Sequence, residues 1–220
     1  MTYLLALIVL NVAAIGFYMH ARTRGDLDRV TVFQPAAVII SWSIVAAGLL
    51  QPGANVAFSL VVLVGMGIAI VGDFLNLDME DPEVVFRGLI IAVVAYLTYG
   101  VGVTVIDGFH IQDWITGTLL LLFYVVLMRR LWAGLGEMRI PGLIYGLVLP
   151  FTFWRAVSTF FGTELSTLQA VFLSLGTLSL YVGDIEFAIH TYRRRLSIMY
   201  GPILYAGGQL LIALSTVARW

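Results

Sequence analysis

The sequence predicts an all-α, polytopic membrane bundle of eight transmembrane helices, and three observations carry that prediction. Sixty per cent of the 220 residues are apolar and only 11% are charged, where a soluble domain would carry about a quarter charged residues. The apolar residues fall into eight runs, each near the roughly 20 residues a helix needs to cross a hydrocarbon core. All twelve basic residues are arginine, and ten of them gather in alternate connections between those runs, Arg155 lying within the sixth run and Arg219 alone on the other face.

The spans read, in order, as about 2–20, 34–50, 56–76, 85–106, 114–131, 140–161, 166–190 and 199–218, forming one transmembrane domain over 1–220. The first has no basic residue ahead of it and is long enough to span, so it is kept as a helix rather than a cleaved signal. Pro35 and Pro141 are placed in the first turns of the second and sixth spans, where a missing N–H is harmless, and Pro202 opens the eighth. Gln51-Pro52-Gly53 is a turn, and Asp78 to Glu83 form a short acidic connection. These links leave no room for a soluble domain.

Orientation follows from the arginines. Arg22, Arg24 and Arg29 lie between spans one and two, Arg87 opens span four, Arg129, Arg130 and Arg139 lie between five and six, and Arg193, Arg194 and Arg195 between seven and eight. With eight spans, all four connections share one face. The positive-inside rule places that face in the cytoplasm and both termini outside. Mean hydropathy of +0.98 agrees with an integral membrane protein.

Composition also excludes chemistry. Without cysteine there are no disulfides, no thiol nucleophile and no thiolate metal ligands. Without lysine there is no Schiff base. Glu186 and His190 share a helix face at i, i+4, but no third ligand accompanies them, so an interfacial ion pair is expected rather than a metal. No cofactor and no nucleic-acid partner are expected.

What remains is a small set of polar residues inside the spans. "VGD" occurs at Val71-Gly72-Asp73 and again at Val182-Gly183-Asp184, 111 residues apart. Each copy sits late in the third span of a four-span half, which makes a four-plus-four parallel repeat a candidate architecture, with a site where the halves meet. An ionisable side chain in a bilayer is costly and ordinarily faces a protein interior or a wet cavity, with a partner. Asp73 pairing with Arg87, and Asp184 facing the arginines at its own end, is the bland explanation. The functional one has both aspartates converge on one cavity as an acid beside a base. Arg155, deep in span six, is expected to snorkel or to pair with Glu164. Tyr96, Tyr99, Tyr145, Tyr181 and Tyr205 place phenols along spans four, six, seven and eight, and Gln209 needs partners wherever it points.

With those residues in place, the chain resembles the YhhN-like family of eight-span membrane proteins, whose characterised members are lysoplasmalogenases. The likeness runs in order over most of the length: "FQPAAV" in span two, "GMGIAIVGDFLN" in three, "FRGLIIAVVAYLTYG" in four, "GLIYGLVLPFTFWRAV" in six, "GTLSLYVGDIEFAI" in seven and "LYAGGQLLIALS" in eight. Three positions depart from the family pattern. Gln34 stands where that pattern favours lysine, Gly183 where it favours serine, and Tyr96 where it often carries histidine.

The resemblance implies a membrane-embedded hydrolase that cleaves the vinyl ether of a lysoplasmalogen, giving a fatty aldehyde and glycerophospho-ethanolamine or -choline. It implies Asp73 and Asp184 as the acid/base pair. Tyr99, Tyr205 and Gln209 would line the site, and Arg193 and Arg194 would take the phosphate of a lysophospholipid or other single-chain lipid. Two other functions fit the same sequence: a non-catalytic lipid- or cofactor-binding membrane protein, and a proton- or cation-coupled transporter using the same carboxylates.

Overall fold

In the computed structural model, residues 2–75, 82–193 and 200–218 are described. They form eight α-helices: α1 Thr2–Thr23, α2 Leu27–Leu49, α3 Val56–Leu75, α4 Pro82–Asp107, α5 Asp113–Leu131, α6 Arg139–Ser158, α7 Thr167–Arg193 and α8 Gly201–Val217, with a short 3-10 turn at Gly136–Met138 before α6. Among the described residues there is no strand. Seven of these helices are long and apolar enough to cross a membrane. The eighth, α8, has 17 residues, a length of about 26 Å at 1.5 Å per residue. Large apolar side chains are exposed along the outer faces, among them Leu5, Val9, Val64, Val105, Leu119 and Leu122. Such a surface belongs against lipid.

Local chemistry sets the helix ends. The Asp26 carboxylate accepts from the Arg29 N–H at 3.2 Å and so starts α2, while Gly25 (φ 69°) makes the preceding turn. Asn55 accepts from the Phe58 N–H at 3.1 Å ahead of α3. Ser166 and Gln169 exchange hydrogen bonds at the start of α7, the serine oxygen accepting from the Gln169 N–H and the glutamine oxygen from the Ser166 N–H. That reciprocal arrangement satisfies two of the orphan donors of a helix N-terminus. One expectation fails here. Pro35 is not in a first turn, because α2 begins at Leu27 and the proline lies inside the helix. The polar turn Leu27 to Val30 is helical, which hydropathy alone does not reveal.

Two contacts fix the interior. Along α7 and α8, Gly176 faces Gly208 and Gly183 faces Gly201. A methyl group on Gly208 would stand 2.9 Å from the Gly176 carbonyl oxygen, and one on Gly183 would stand 3.1 Å from that of Gly201. The two pairs are seven residues apart on each helix, two turns along one seam, so the backbones approach through small residues as membrane helices do. Between α1 and α2, the fully buried Asn11 amide donates to the Ala37 carbonyl (2.6 Å) and the Ser41 hydroxyl (2.9 Å). The helices also contact reciprocally. The fourth helix of the first half, α4, packs on the second helix of the other half, α6, and α8 packs on α2 in the same way. By contrast, α5 is peripheral: 11% of its span is buried, against 28–50% in the other six.

Candidate active site

The two aspartates lie on α3 and α7, near the end of the bundle that carries the arginine-bearing connections. Each is half-buried. On Asp73, the Gln34 amide of α2 donates to Oδ1 at 3.3 Å and the Tyr205 hydroxyl of α8 donates to Oδ2 at 3.1 Å. On Asp184, the Tyr96 hydroxyl of α4 donates to Oδ2 at 3.0 Å. The Tyr145 phenol of α6 lies beside the same carboxyl, with its ring 6.1 Å from that of Tyr96.

These two shells are related. Gln34 and Tyr145 are 111 residues apart, the same spacing as Asp73 and Asp184. In each half a second-helix residue therefore meets the third-helix aspartate. The phenol that completes each shell comes from the fourth helix of the opposite half, Tyr205 for Asp73 and Tyr96 for Asp184. The Tyr205 phenol in turn lies within electrostatic reach of Tyr96 and Tyr99, and Tyr145 within reach of Tyr205. One polar cluster thus runs across the bundle from Asp73 to Asp184.

The bland explanation of Asp73 fails, while that of Asp184 falls on Arg193 to Arg195, whose side chains lie outside the described residues. Arg87 pairs with Glu83 at 3.0 Å at the helix surface, not with Asp73. Among the described residues neither aspartate pairs with a guanidinium. Both carboxyls are held by neutral donors, an arrangement compatible with either protonation state and therefore with proton transfer.

The other sequence-derived candidates separate. Tyr205 touches an aspartate. Tyr99, fully buried in room that Gly65 leaves for its ring, donates instead to the Gln209 side-chain oxygen at 3.2 Å. The Gln209 amide nitrogen is buried without a hydrogen-bond partner among the described residues. Arg193 ends α7, its side chain lies outside the described residues, and so do Arg194 and Arg195. Tyr181 packs between Phe123 and Phe153, away from the cluster. Glu186 caps α8, its Oε1 accepting from the Tyr200 N–H at 2.8 Å, where a carboxylate is favoured by the helix dipole. No group of three metal-ligating side chains occurs among the described residues. The site residues that sequence reasoning left out of its list are Gln34, Tyr96 and Tyr145. The signal for two of them was the 111-residue spacing.

Arg155 is corrected as well. It neither snorkels nor meets Glu164: its guanidinium is fully buried at the opposite end of the bundle. There it donates to Asp113 Oδ2 (2.8 Å), to Thr104 Oγ1 (2.8 Å) and to the Gly108 carbonyl. It also lies 4.4 Å over the Phe109 ring. This clasp ties the α4–α5 connection to α6 and is structural.

An apolar hollow of about 490 Å³ lies between α4, α5 and α6, lined by Leu97, Val101, Leu121, Tyr124, Val148 and Phe151 among others. Leu97, Val101 and Leu121 are substantially exposed, so it faces the lipid side. Two of its walls are the helices that carry Tyr96 and Tyr145.

The three positions that depart from the family pattern all fall at this site. Gln34 and Tyr96 hydrogen-bond the aspartates directly. Gly183 lets α8 close against α7 beside Asp184, a contact that a serine side chain would crowd. No curated protein and no solved structure matches the chain. A family model does, the YhhN family, over residues 29–216. That span takes in α3 to α7 and nearly all of α2 and α8, with Gln34, Tyr96, Tyr145 and Tyr205 about the aspartates, and the chain belongs to the YhhN family.

Proposed function

We propose that this protein is an intramembrane hydrolase of the lysoplasmalogenase type, with Asp73 and Asp184 as its acid/base pair. The observation that supports this reading is the pair of carboxyls held by phenols and an amide, with no guanidinium paired to either among the described residues, in one cluster between the two halves.

The chemistry needs two such groups. A vinyl ether is cleaved by adding a proton to the carbon remote from oxygen, which leaves an oxocarbenium ion at the carbon bonded to oxygen. A carboxylic acid supplies that proton. A carboxylate stabilises the cation and takes a proton from the attacking water. The hemiacetal then collapses: its hydroxyl proton is lost, the ether oxygen leaves with a proton as the glycerol hydroxyl, and the chain departs as an aldehyde. One water is consumed and no redox partner is required. The lipid-side hollow along α4 and α6 suits a single hydrocarbon chain. The arginine-bearing end, proposed as cytoplasmic, would hold the phosphate.

The test is aldehyde release from a lysoplasmalogen by the purified, detergent-solubilised protein, alongside Asp73→Asn and Asp184→Asn. Each substitution should lower turnover by about 10²–10⁴-fold, the usual worth of a general acid or base, while the protein elutes as the wild type does. Undiminished turnover in a folded Asp184→Asn protein would reject the pair. A wild-type protein that releases no aldehyde but moves protons or cations in proteoliposomes would establish a transporter instead.

A further inference from the structure

We propose that Tyr18 of α1, which lies outside the family-matched residues, is a positioning residue for Asp73 and acts through Gln34. The Tyr18 side chain is 1% exposed. Its hydroxyl donates to the Gln34 side-chain oxygen at 3.2 Å, and the Gln34 nitrogen donates to Asp73 Oδ1 at 3.3 Å. Arg22, one turn further along α1, sits beside the Tyr18 phenol.

A glutamine amide has two orientations that differ only in exchanging oxygen for nitrogen. One offers Asp73 a donor. The other turns a carbonyl oxygen on a carboxylate, and the two repel. The Tyr18 hydroxyl hydrogen selects the first, because it needs an acceptor and finds the amide oxygen. The chain of donors ends at Asp73, whose second oxygen is held by Tyr205. Both carboxyl oxygens are thereby fixed, and with them the rotation of the group. Among the described residues the other half shows no counterpart. There α5 offers Tyr124, whose hydroxyl donates instead to the Leu143 carbonyl at 3.0 Å. α1 thus completes the site on one side only.

The experiment compares wild type, Tyr18→Phe, and Asn11→Ala as a control that removes two buried α1–α2 hydrogen bonds, neither of them to Gln34 or Asp73. Three quantities are measured: thermal midpoint, kcat and KM on a lysoplasmalogen, and the rate at which Asp73 is modified by a hydrophobic carbodiimide, read by peptide mass spectrometry. Carbodiimides take protonated carboxyls, so losing the Gln34 donor should speed modification of Asp73 by roughly fivefold, the factor an ordinary hydrogen bond carries. Tyr18→Phe should also lower kcat by a similar factor with KM unchanged. Asn11→Ala should lower the thermal midpoint and leave Asp73 labelling and kcat as they are.

Wild-type labelling in Tyr18→Phe overturns the proposal. So does a labelling change that Asn11→Ala reproduces, which would make the effect one of α1 docking alone. The turnover arm rests on the hydrolase reading. If wild type releases no aldehyde, that reading fails, and the labelling rates alone decide the role of Tyr18.

Discussion

The Arg155–Asp113 clasp allows a stability prediction worked from contacts. The guanidinium is fully buried and the Asp113 side chain is 2% exposed. Asp113→Asn keeps an oxygen to accept from the His110 N–H, which Asp113 Oδ2 now does at 2.7 Å, but removes the compensating charge. Among the described residues Arg155 would then be a buried cation facing neutral acceptors, the Thr104 hydroxyl, the Gly108 carbonyl and the retained amide oxygen. Breaking a buried pair from one side costs about 3–5 kcal/mol. In a membrane protein the unfolded chain also finds polar partners, which discounts such contacts, so the lower end, about 3 kcal/mol, is expected. Adding Arg155→Met removes the stranded charge and should restore at least half of the loss, a coupling of about 1–3 kcal/mol. Reversible unfolding in mixed micelles, titrated with a denaturing detergent, would measure this. Trp154 is a built-in reporter: its indole N–H donates to the Asp113 carbonyl at 2.8 Å and its ring lies 5.5 Å from the guanidinium. If Asp113→Asn stays within about 1 kcal/mol of wild type, or the double variant is simply additive, the claim that each charge depends on the other is wrong.

Adjacent glycines give a second test. Gly208→Ala would push a methyl group to 2.9 Å from the Gly176 carbonyl oxygen, whereas a methyl group on Gly207 meets nothing within 4 Å. Gly208→Ala should cost about 1–3 kcal/mol and Gly207→Ala almost nothing in the same unfolding assay. Equal effects would mean that α7 and α8 do not meet along that seam. Glu186→Ala removes the carboxylate from the start of α8 and should cost about 1 kcal/mol. It should also speed hydrogen exchange at the first amides of α8, and unchanged exchange there would show that the cap is idle.

The helices were legible because lipid leaves few alternatives: every backbone group must be satisfied within a segment, so an apolar run of the right length is a helix. What hydropathy could not show is where a helix continues outside the apolar run, and so Pro35, expected at a helix start, sits inside α2. The aspartates stood out for the same reason of cost. Their partners did not. A phenol or an amide in a membrane helix is equally at home in a core, an interfacial belt or a site, so composition could not distinguish Tyr96 and Tyr145, which meet Asp184, from Tyr181, which meets only rings. The repeat spacing could have, since Gln34 and Tyr145 occupy matching places. For Arg155 the sequence suggests snorkelling or a pair with Glu164, the carboxylate near it in the chain. Its partner Asp113 is 42 residues away, brought close by the turn at Gly108.

Because each aspartate takes one phenol from the other half, neither half completes the shell of its own carboxyl alone. Splitting the chain between α4 and α5 would leave two four-helix pieces, each with a carboxyl and a phenol meant for its counterpart. A four-helix protein pairing with a second copy of itself about an axis along the membrane normal would complete both shells in one docking event. Fusing two such copies would free each to diverge, and α1, with Tyr18 reaching Gln34, marks a difference between the two halves of this chain.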